Sequence, residues 1–402
     1  MRLTSFSLLR CALLSAATMA CQSSDRLNST LAPATDCLVK ASASNGLAIS
    51  GQYIVTSKFS EVPAAPNARQ ASPATDRLVE VFLQNHRISQ TQAHVLTATD
   101  GEITFVATLN PFEAEALWRD TSVQLLEPDR TVSLCACIEV ASPSTVGWNI
   151  RQTGYGRGDR QTGRTAWVID TGIDLDHPDL NVDTGRSRSF LSGATSASAE
   201  AEDNNGHGTH VAGIIGALNN NIGVTGVASG AQLVALKVLD QLGEGRLSGV
   251  IAAVDHVYRT GKPGDVVNLS LGGEGQSPTL DRVIRLAADR GILFAIAAGN
   301  ESESVEGQSP ARVNHSNVFT VSAMDAQDRF ASFSNYGPSV DVAAYGVRIQ
   351  STYRNGRYAT LSGTSMAAPH VAGLLYIRGN KLPLKGTVSG DPDGQPDPMA
   401  KE

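Results

Sequence analysis

Between Gln52 and Phe59 apolar and polar side chains alternate, with Tyr53, Val55 and Phe59 on one side, which is the period of a half-buried strand. Leu78, Val79, Phe82 and Leu83 then fall at helical spacing behind the start signals Ser72-Pro73 and Thr75. Ala93 to Thr97 and Glu102 to Leu109 read as two strands, and Asp100-Gly101 between them is a hairpin signal. Pro111 opens a short helix through Trp118, and Val123 to Glu127 reads as a closing strand. This order predicts a ferredoxin-like βαββαβ unit. A stretch rich in Ser, Pro and Thr, Ala141 to Asn149, follows as a linker.

From Arg164 onward the pattern changes. Short, almost wholly apolar runs (Arg164 to Asp170, Gln232 to Leu239, Val266 to Leu271, Ile292 to Ala298) alternate with segments of helical period (His207 to Ala217, Leu247 to Tyr258, Leu280 to Asp289). Strands without polar alternation are buried on both faces, so the pattern predicts an α/β domain with a parallel sheet and helices on either side. Ligand sites on such sheets lie beyond the carboxyl ends of the strands.

Composition narrows the class of protein. The 402 residues are 41% hydrophobic and 18% charged, which suits folded domains. Lys plus Arg is 32 and Asp plus Glu is 39, a formal net charge of 32 − 39 = −7, so the chain lacks the basic footprint of a nucleic-acid binder. Arg2 and Arg10 frame a positive region, and the apolar run Cys11 to Ala20 is too short to span a bilayer. Residues 1–21 therefore read as an export signal, with a lipid anchor on Cys21 as the alternative. Cys37, Cys135 and Cys137 precede residue 140 and no cysteine follows it, so the C-terminal region has no disulfide and no thiolate metal site. Cys37 has either of the other two as a possible mate; Cys135 and Cys137 are too close in sequence to pair with each other.

Three segments carry chemistry. Asp170 ends a strand in VIDTGID, His207 starts a helix in NNGHGTHVAGIIG, and Ser365 starts another in SGTSMAAPHVAG. An alcohol that attacks an amide needs a base, and the base needs an orienting carboxylate. A serine at a helix N-terminus also has inward-pointing amides for an oxyanion, and Asn300, after the strand ILFAIAAGN, is a candidate second donor. Any one of these residues alone would be a turn or cap residue; their joint placement at element ends argues for a site. Asp174, Asp176 and His177 are expected in a surface loop, and His210 as a locally bonded histidine.

These segments resemble those of subtilisin-like serine proteases. VIDTGID, NGHGTHVAG, LKVLD, NLSLGG, AAGN, FSNYG and GTSMAAPHVAG occur in the family's order from Trp148 to about Leu375. The resemblance implies Asp170 as orienter, His207 as general base and acid, Ser365 as nucleophile and Asn300 as oxyanion donor. It implies that Gly243-Glu244-Gly245 and Ser270-Leu271-Gly272 flank a bound peptide, with Leu247 flooring one pocket and Ala297, Ala298 and Gly299 walling another; Glu301 and Glu303 lie near. It implies a structural calcium held by Asp179, Asn220 and the carbonyls of Leu218, Ile222 and Val224, with Asp341 as a weaker ligand elsewhere.

The expected organisation is an export signal (1–21), a linker (22–50), an inhibitor and chaperone pro-domain (51–140), a catalytic domain (141–390) and a solvated polar tail (391–402). Self-cleavage is expected near Val140–Ala141, yielding a secreted monomer that acts on proteins and peptides. Only 402 − 365 = 37 residues follow Ser365, so the elements that brace the family's core there are expected in abbreviated form. Three rivals are a catalytically dead binding relative, an esterase, which GTSMA argues against because it is not the G-x-S-x-G elbow, and a serine-carboxyl peptidase, which would carry Glu in place of His207.

Overall fold

A computed structural model describes residues 44–59, 73–88, 93–99, 101–134, 137–140, 146–153, 163–191, 198–273 and 275–401. The export-type segment, Cys37, Cys135 and most of the predicted linker Ala141 to Asn149 lie outside the described residues.

The N-terminal unit runs β1 (Ala48–Lys58), α1 (Pro73–Asn85), β2 (His94–Thr99), β3 (Glu102–Thr108), α2 (Pro111–Trp118) and β4 (Val123–Ser133). That is the predicted βαββαβ order. The strands pair as β2-β3-β1-β4, all antiparallel. Asn110 caps α2 in a capping box with Glu113, and Pro111 fills the first turn, where its missing N–H costs nothing. Val55, Val79, Leu83, Phe105 and Leu117 form the unit's own apolar core.

Two boundaries differ from the pattern. β1 begins at Ala48, and Gly46 N–H donates to Thr131 O while Thr131 N–H donates to Leu47 O, so residues 46–50 belong to the sheet and not to a linker. β4 was expected to stop at Glu127 and continues to Ser133, because a strand some 110 positions further along supplies a partner that local pattern cannot foresee.

β5 (Cys137–Val140) and α3 (Trp148–Thr153) lead into the main sheet. Its elements are β6 (Ala166–Asp170), β7 (Arg188–Ser189), α4 (His207–Gly216), β8 (Leu233–Lys237), β9 (Glu244–Arg246), α5 (Leu247–Thr260), β10 (Val266–Leu269), α6 (Pro278–Asp289), β11 (Leu293–Ala297), β12 (Val318–Met324), β13 (Val342–Tyr345), β14 (Ile349–Tyr353), β15 (Arg357–Ser362), α7 (Thr364–Arg378), β16 (Leu384–Thr387) and β17 (Pro398–Ala400). Nine strands order as β16-β17-β13-β12-β11-β10-β6-β8-β7, parallel except for the β16–β17 pair. Every residue of β6, β8, β10 and β11 is buried, which explains their predominantly apolar sequence; Asn268 within β10 and Asp170 and Lys237 at the ends of β6 and β8 are the exceptions. One face packs on α4 and α7, the other on α5 and α6.

The acidic stretch Gly390 to Asp397, expected to be solvated, is exposed or half-buried up to Pro396, but its end docks on the sheet. β17 adds to the edge of the sheet beside β13, and Asp397, 6% exposed, accepts a 2.5 Å hydrogen bond from Ser322 Oγ. Only tertiary partners reveal this, since the segment has no apolar periodicity of its own.

Candidate active site

Asp170 closes β6 at the carboxyl rim of the sheet, and His207 is the first residue of α4. His207 Nδ1 lies 2.8 Å from Asp170 Oδ1 and 3.0 Å from Oδ2. A ring nitrogen facing a carboxylate is the one that carries the proton, which leaves Nε2 as the basic nitrogen. That Nε2 is buried and has no hydrogen-bond partner among the described residues. Two glycines permit the close approach. Gly206 has φ 114°, and a Cβ there would lie 2.3 Å from the Tyr353 ring. A Cβ on Gly208 would lie 2.1 Å from Gly172 O and 3.1 Å from Asp170 Cβ.

Ser365 is the second residue of α7 and is 4% exposed. Its Oγ donates to Ser270 O at 3.2 Å, and Ser270 Oγ donates to Ser365 O at 2.9 Å. The structure thus brings Asp170 and His207 into contact, while the Ser365 hydroxyl points to Ser270 and not to the imidazole. Asn300 lines the same cleft, of about 500 Å³. Its Oδ1 accepts from Thr364 N–H at 2.8 Å and Thr364 Oγ1 at 3.0 Å, which fixes the plane of the carboxamide. Ala297, Ala298, Gly299 and Glu301 border the cleft as well. Glu301 Oε2 accepts from the Asn300 N–H and from Asn335 Nδ2, so its charge is tied to the site's own scaffold.

The two expected substrate segments flank a strand. Gly245 and Glu244 pair with Val132 and Ser133 of β4, Leu134 N–H donates to Gly243 O at 3.2 Å, and Ser133 bridges Gly272 on the other side. Val132 lies in an apolar pocket with Leu247, Val250, Leu271 and Leu280. Beyond Leu134 the chain re-enters as β5, where Cys137 pairs with Ser362 and Val140 with Ala359 of β15.

Two acids of β4 that the sequence showed only as part of LLEPDR anchor it to this region. Asp129 Oδ1 accepts Ser248 N–H at 3.1 Å and Oδ2 accepts Ser248 Oγ at 2.7 Å, at the start of α5. Glu127 Oε1 accepts Ser277 Oγ and Thr279 N–H, both at 3.1 Å, at the start of α6. Burial raises both carboxyl pKa values, against hydrogen bonds that lower them.

Asp174 and His177, expected in a solvated loop, are 2% and 3% exposed. Asp174 Oδ2 accepts Gly356 N–H and His177 Nε2 contacts Arg357 O, so both are buried by the β14–β15 turn, which the sequence pattern does not place beside them. His210 is fully buried between Ile349 O and Ala359 O, and burial holds it neutral, with its pKa lowered to about 3.

At the expected calcium site the loop from Leu218 to Val224 wraps Asp179, which is 0% exposed. Asp179 Oδ2 accepts Val224 N–H at 3.0 Å and Tyr358 OH at 3.3 Å, while Oδ1 is buried without a partner. Asn220 Oδ1 accepts Ile222 N–H at 3.1 Å, and Leu218 N–H donates to Asp179 O. A buried carboxylate oxygen left without a partner beside this loop fits a hard cation. Among the described residues no group of three His, Cys, Asp or Glu side chains surrounds a common point, so such a site would rest on one carboxylate.

A helix-covered parallel sheet with an imidazole–carboxylate pair and a helix-start serine at its carboxyl rim defines a fold suited to acyl transfer. Comparison with known proteins agrees. The profile of the subtilase family, Peptidase_S8, matches residues 163–381. M-protease of Shouchella clausii (strain KSM-K16) is 41% identical over 296 residues, 70% of this chain and 73% of that protein. Alkaline serine exoprotease A of Vibrio alginolyticus is 36% identical over 353 residues, 84% of this chain and 62% of that protein. The crystal structure of a cold adapted subtilisin-like serine proteinase superposes with a TM-score of 0.54 at 35% identity, covering 64% of this chain and 98% of that one. The chain belongs to the subtilase family, and it is a serine endopeptidase of the subtilisin-like fold.

Proposed function

We propose that the chain is the self-processing precursor of an exported endopeptidase in which Ser365, His207 and Asp170 form the catalytic triad. The observation that carries this reading is the buried His207, held by Asp170 at 2.8 Å with Nε2 unpaired among the described residues, together with Ser365, which lines a cleft beside Asn300 at the start of α7. A χ1 rotation of Ser365, from the Ser270 carbonyl to His207 Nε2, readies the nucleophile. Rotamer changes of this kind cost on the order of 1 kcal/mol. Ser365 Oγ then attacks the substrate carbonyl and Nε2 takes its proton. Asn300 Nδ2 and the N–H groups at the start of α7 stabilise the oxyanion. His207 returns the proton to the leaving amine, and water, activated by the same nitrogen, releases the acyl group.

Residues 44–134 act as the inhibitor. Their last strand occupies the groove between Gly243–Gly245 and Gly272 as a substrate would. Leu134 lines the same cleft as Ser365, so cleavage is assigned between Leu134 and Cys137, upstream of the Val140–Ala141 bond expected from the strand–linker order. Val140 is already paired with Ala359, beyond the cleft. Asp179, Asn220 and the carbonyls of Leu218, Ile222 and Val224 would hold calcium, which would neutralise the buried carboxylate and brace the loop. Export rests on the N-terminal segment; among the described residues no helix is long and apolar enough to cross a membrane.

The test is intact-mass analysis of wild type and Ser365→Ala, purified with other proteases absent. Wild type should yield fragments cut between Leu134 and Cys137 and should label with a fluorophosphonate. Ser365→Ala should remain full length and unlabelled. Normal maturation of Ser365→Ala, or its retained peptide hydrolysis, overturns the reading.

A further inference from the structure

Beside the Asp170–His207 pair lies a buried carboxylate that the catalytic reading leaves unused. Asp203 is 3% exposed and accepts five hydrogen bonds. Thr171 Oγ1, Asn205 N–H and Gly206 N–H donate to Oδ1 at 2.9, 2.9 and 2.8 Å. Thr209 N–H and Thr209 Oγ1 donate to Oδ2 at 2.9 and 2.6 Å. Thr171 follows Asp170, and Thr209 lies two residues after His207. Thr171 Oγ1 closes the circuit by accepting Gly208 N–H at 2.9 Å.

The geometry points to Asp203 as a positioning residue that sets the separation and orientation of Asp170 and His207. This rests on the triad reading above. α4 has Gly206 at its N-cap, with no side-chain cap of its own. The first N–H groups of a helix have no intrahelical partner and carry partial positive charge. Here Asn205 Oδ1 takes that of His207 at 3.1 Å, Thr171 Oγ1 that of Gly208, and Asp203 that of Thr209. One carboxylate thereby clamps the helix start that carries the imidazole to the strand end that carries its partner. Charge-assisted bonds are the stronger kind, and both carboxylate oxygens here accept more than one of them. Lys237, the last residue of β8, reaches the same corner, its Nζ bonded to Thr171 O.

Asp203→Asn keeps the shape but turns one oxygen into an NH₂ that must face at least two donors, so the clamp loosens. A displacement of the imidazole by a fraction of an ångström lowers turnover without touching the peptide groove. We expect kcat per active site, titrated with a fluorophosphonate, to fall about ten- to hundredfold with KM within about twofold of wild type. The low-field proton resonance of His207 Nδ1–H should shift or broaden at temperatures where the protein remains folded. Thr171→Val, which removes the bond to Asp203 and the bridge to Gly208 but leaves the other four bonds to Asp203, should give a smaller loss, and the two changes together should cost less than the product of their separate effects.

Asp203→Asn with kcat within twofold of wild type overturns the proposal. So does a loss confined to the number of titratable sites with the resonance unmoved, because that is lost folding and not lost positioning. If Asp203→Asn does not fold, Thr171→Val decides: full kcat with an unmoved resonance refutes the clamp. An active Ser365→Ala would instead sink the triad reading, whatever the Asp203 variants do.

Discussion

If β4 is the inhibitory strand proposed above, its anchoring at two helix starts makes Asp129→Ala an informative change. Asp129 is 0% exposed and gives both oxygens to Ser248, to the backbone N–H at 3.1 Å and to Oγ at 2.7 Å. A hydrogen bond to a charged group contributes about 1.5–3 kcal/mol, and water satisfies Ser248 once the strand leaves. The loss should therefore be about 2–3 kcal/mol in all, or about 30- to 150-fold in the dissociation constant of the cleaved inhibitor. Asp129→Asn should be milder, because an amide oxygen still accepts and burial already disfavours the anion. The pH sign follows from the raised pKa of Asp129 and Glu127 in the docked state. A carboxyl whose pKa is higher docked than free favours docking fully below its free value and loses that contribution as pH rises through the docked value. The helix starts favour the anion, but burial is the larger influence on both groups, and Glu127 Oε2 has no partner to offset it. The assay is dilution of self-processed protein into a chromogenic peptide, with the recovered rate read against total protein at several pH values. A dissociation constant within threefold of wild type for Asp129→Ala, or docking that tightens as pH rises, would refute the reasoning.

Asn300→Ala should lower turnover about a hundred- to thousandfold, the known cost of removing such a donor in subtilisin and not a figure worked from this chain, with little change in substrate affinity; a loss under tenfold would remove Asn300 from the oxyanion site. Chelation of calcium should lower the melting temperature of wild type and leave Asp179→Ala unchanged, and equal responses would refute the assignment of the Asp179 loop. Burial raises Asp397 to about 7, with Asp391, Asp393 and Asp341 adding to the rise. Its contribution to stability is therefore complete below the unfolded carboxyl range and lost as pH rises through about 7. Thermal melts between pH 5 and 8 should show that decline in wild type and a flatter profile in Asp397→Asn.

The readability of this chain tracks how local each determinant is. Strands buried on both faces are apolar at nearly every position, so β6, β8, β10 and β11 stand out in sequence despite Asp170, Lys237 and Asn268. The glycines around His207 and Ser365 are legible too, because close backbone approach excludes side chains. Long-range pairing is different. Nothing near Ser133 announces that β9 will extend β4, and nothing near Asp397 announces that Ser322 will bury it. Asp174 and His177 look solvated because the turn that covers them arrives some 180 positions later. Asp203 could have been suspected from an acid four residues before a helix-start histidine in a Gly-rich turn, where Asx-type bonding is common. Its bond to Thr171 could not.

The same long-range pairing explains how one groove can be inhibited and yet broadly permissive. The edges that receive β4 contribute backbone groups: Gly243 O, the Gly245 and Glu244 positions of β9, and Gly272. A strand added to such edges is held whatever its side chains are. Selection must then come from the few places where a side chain is enclosed, and Val132, among Leu247, Val250, Leu271 and Leu280, is such a place. Burying a Val-sized side chain there is worth about 1.5–3 kcal/mol. Apolar residues at that position of a substrate should accordingly be favoured over charged ones by one to two orders of magnitude in kcat/KM, while the neighbouring exposed positions tolerate most side chains. On the proposed inhibitor reading, residues 44–134 gain their advantage over such substrates from Glu127 and Asp129, which bond to the starts of α6 and α5 and which no short peptide reproduces.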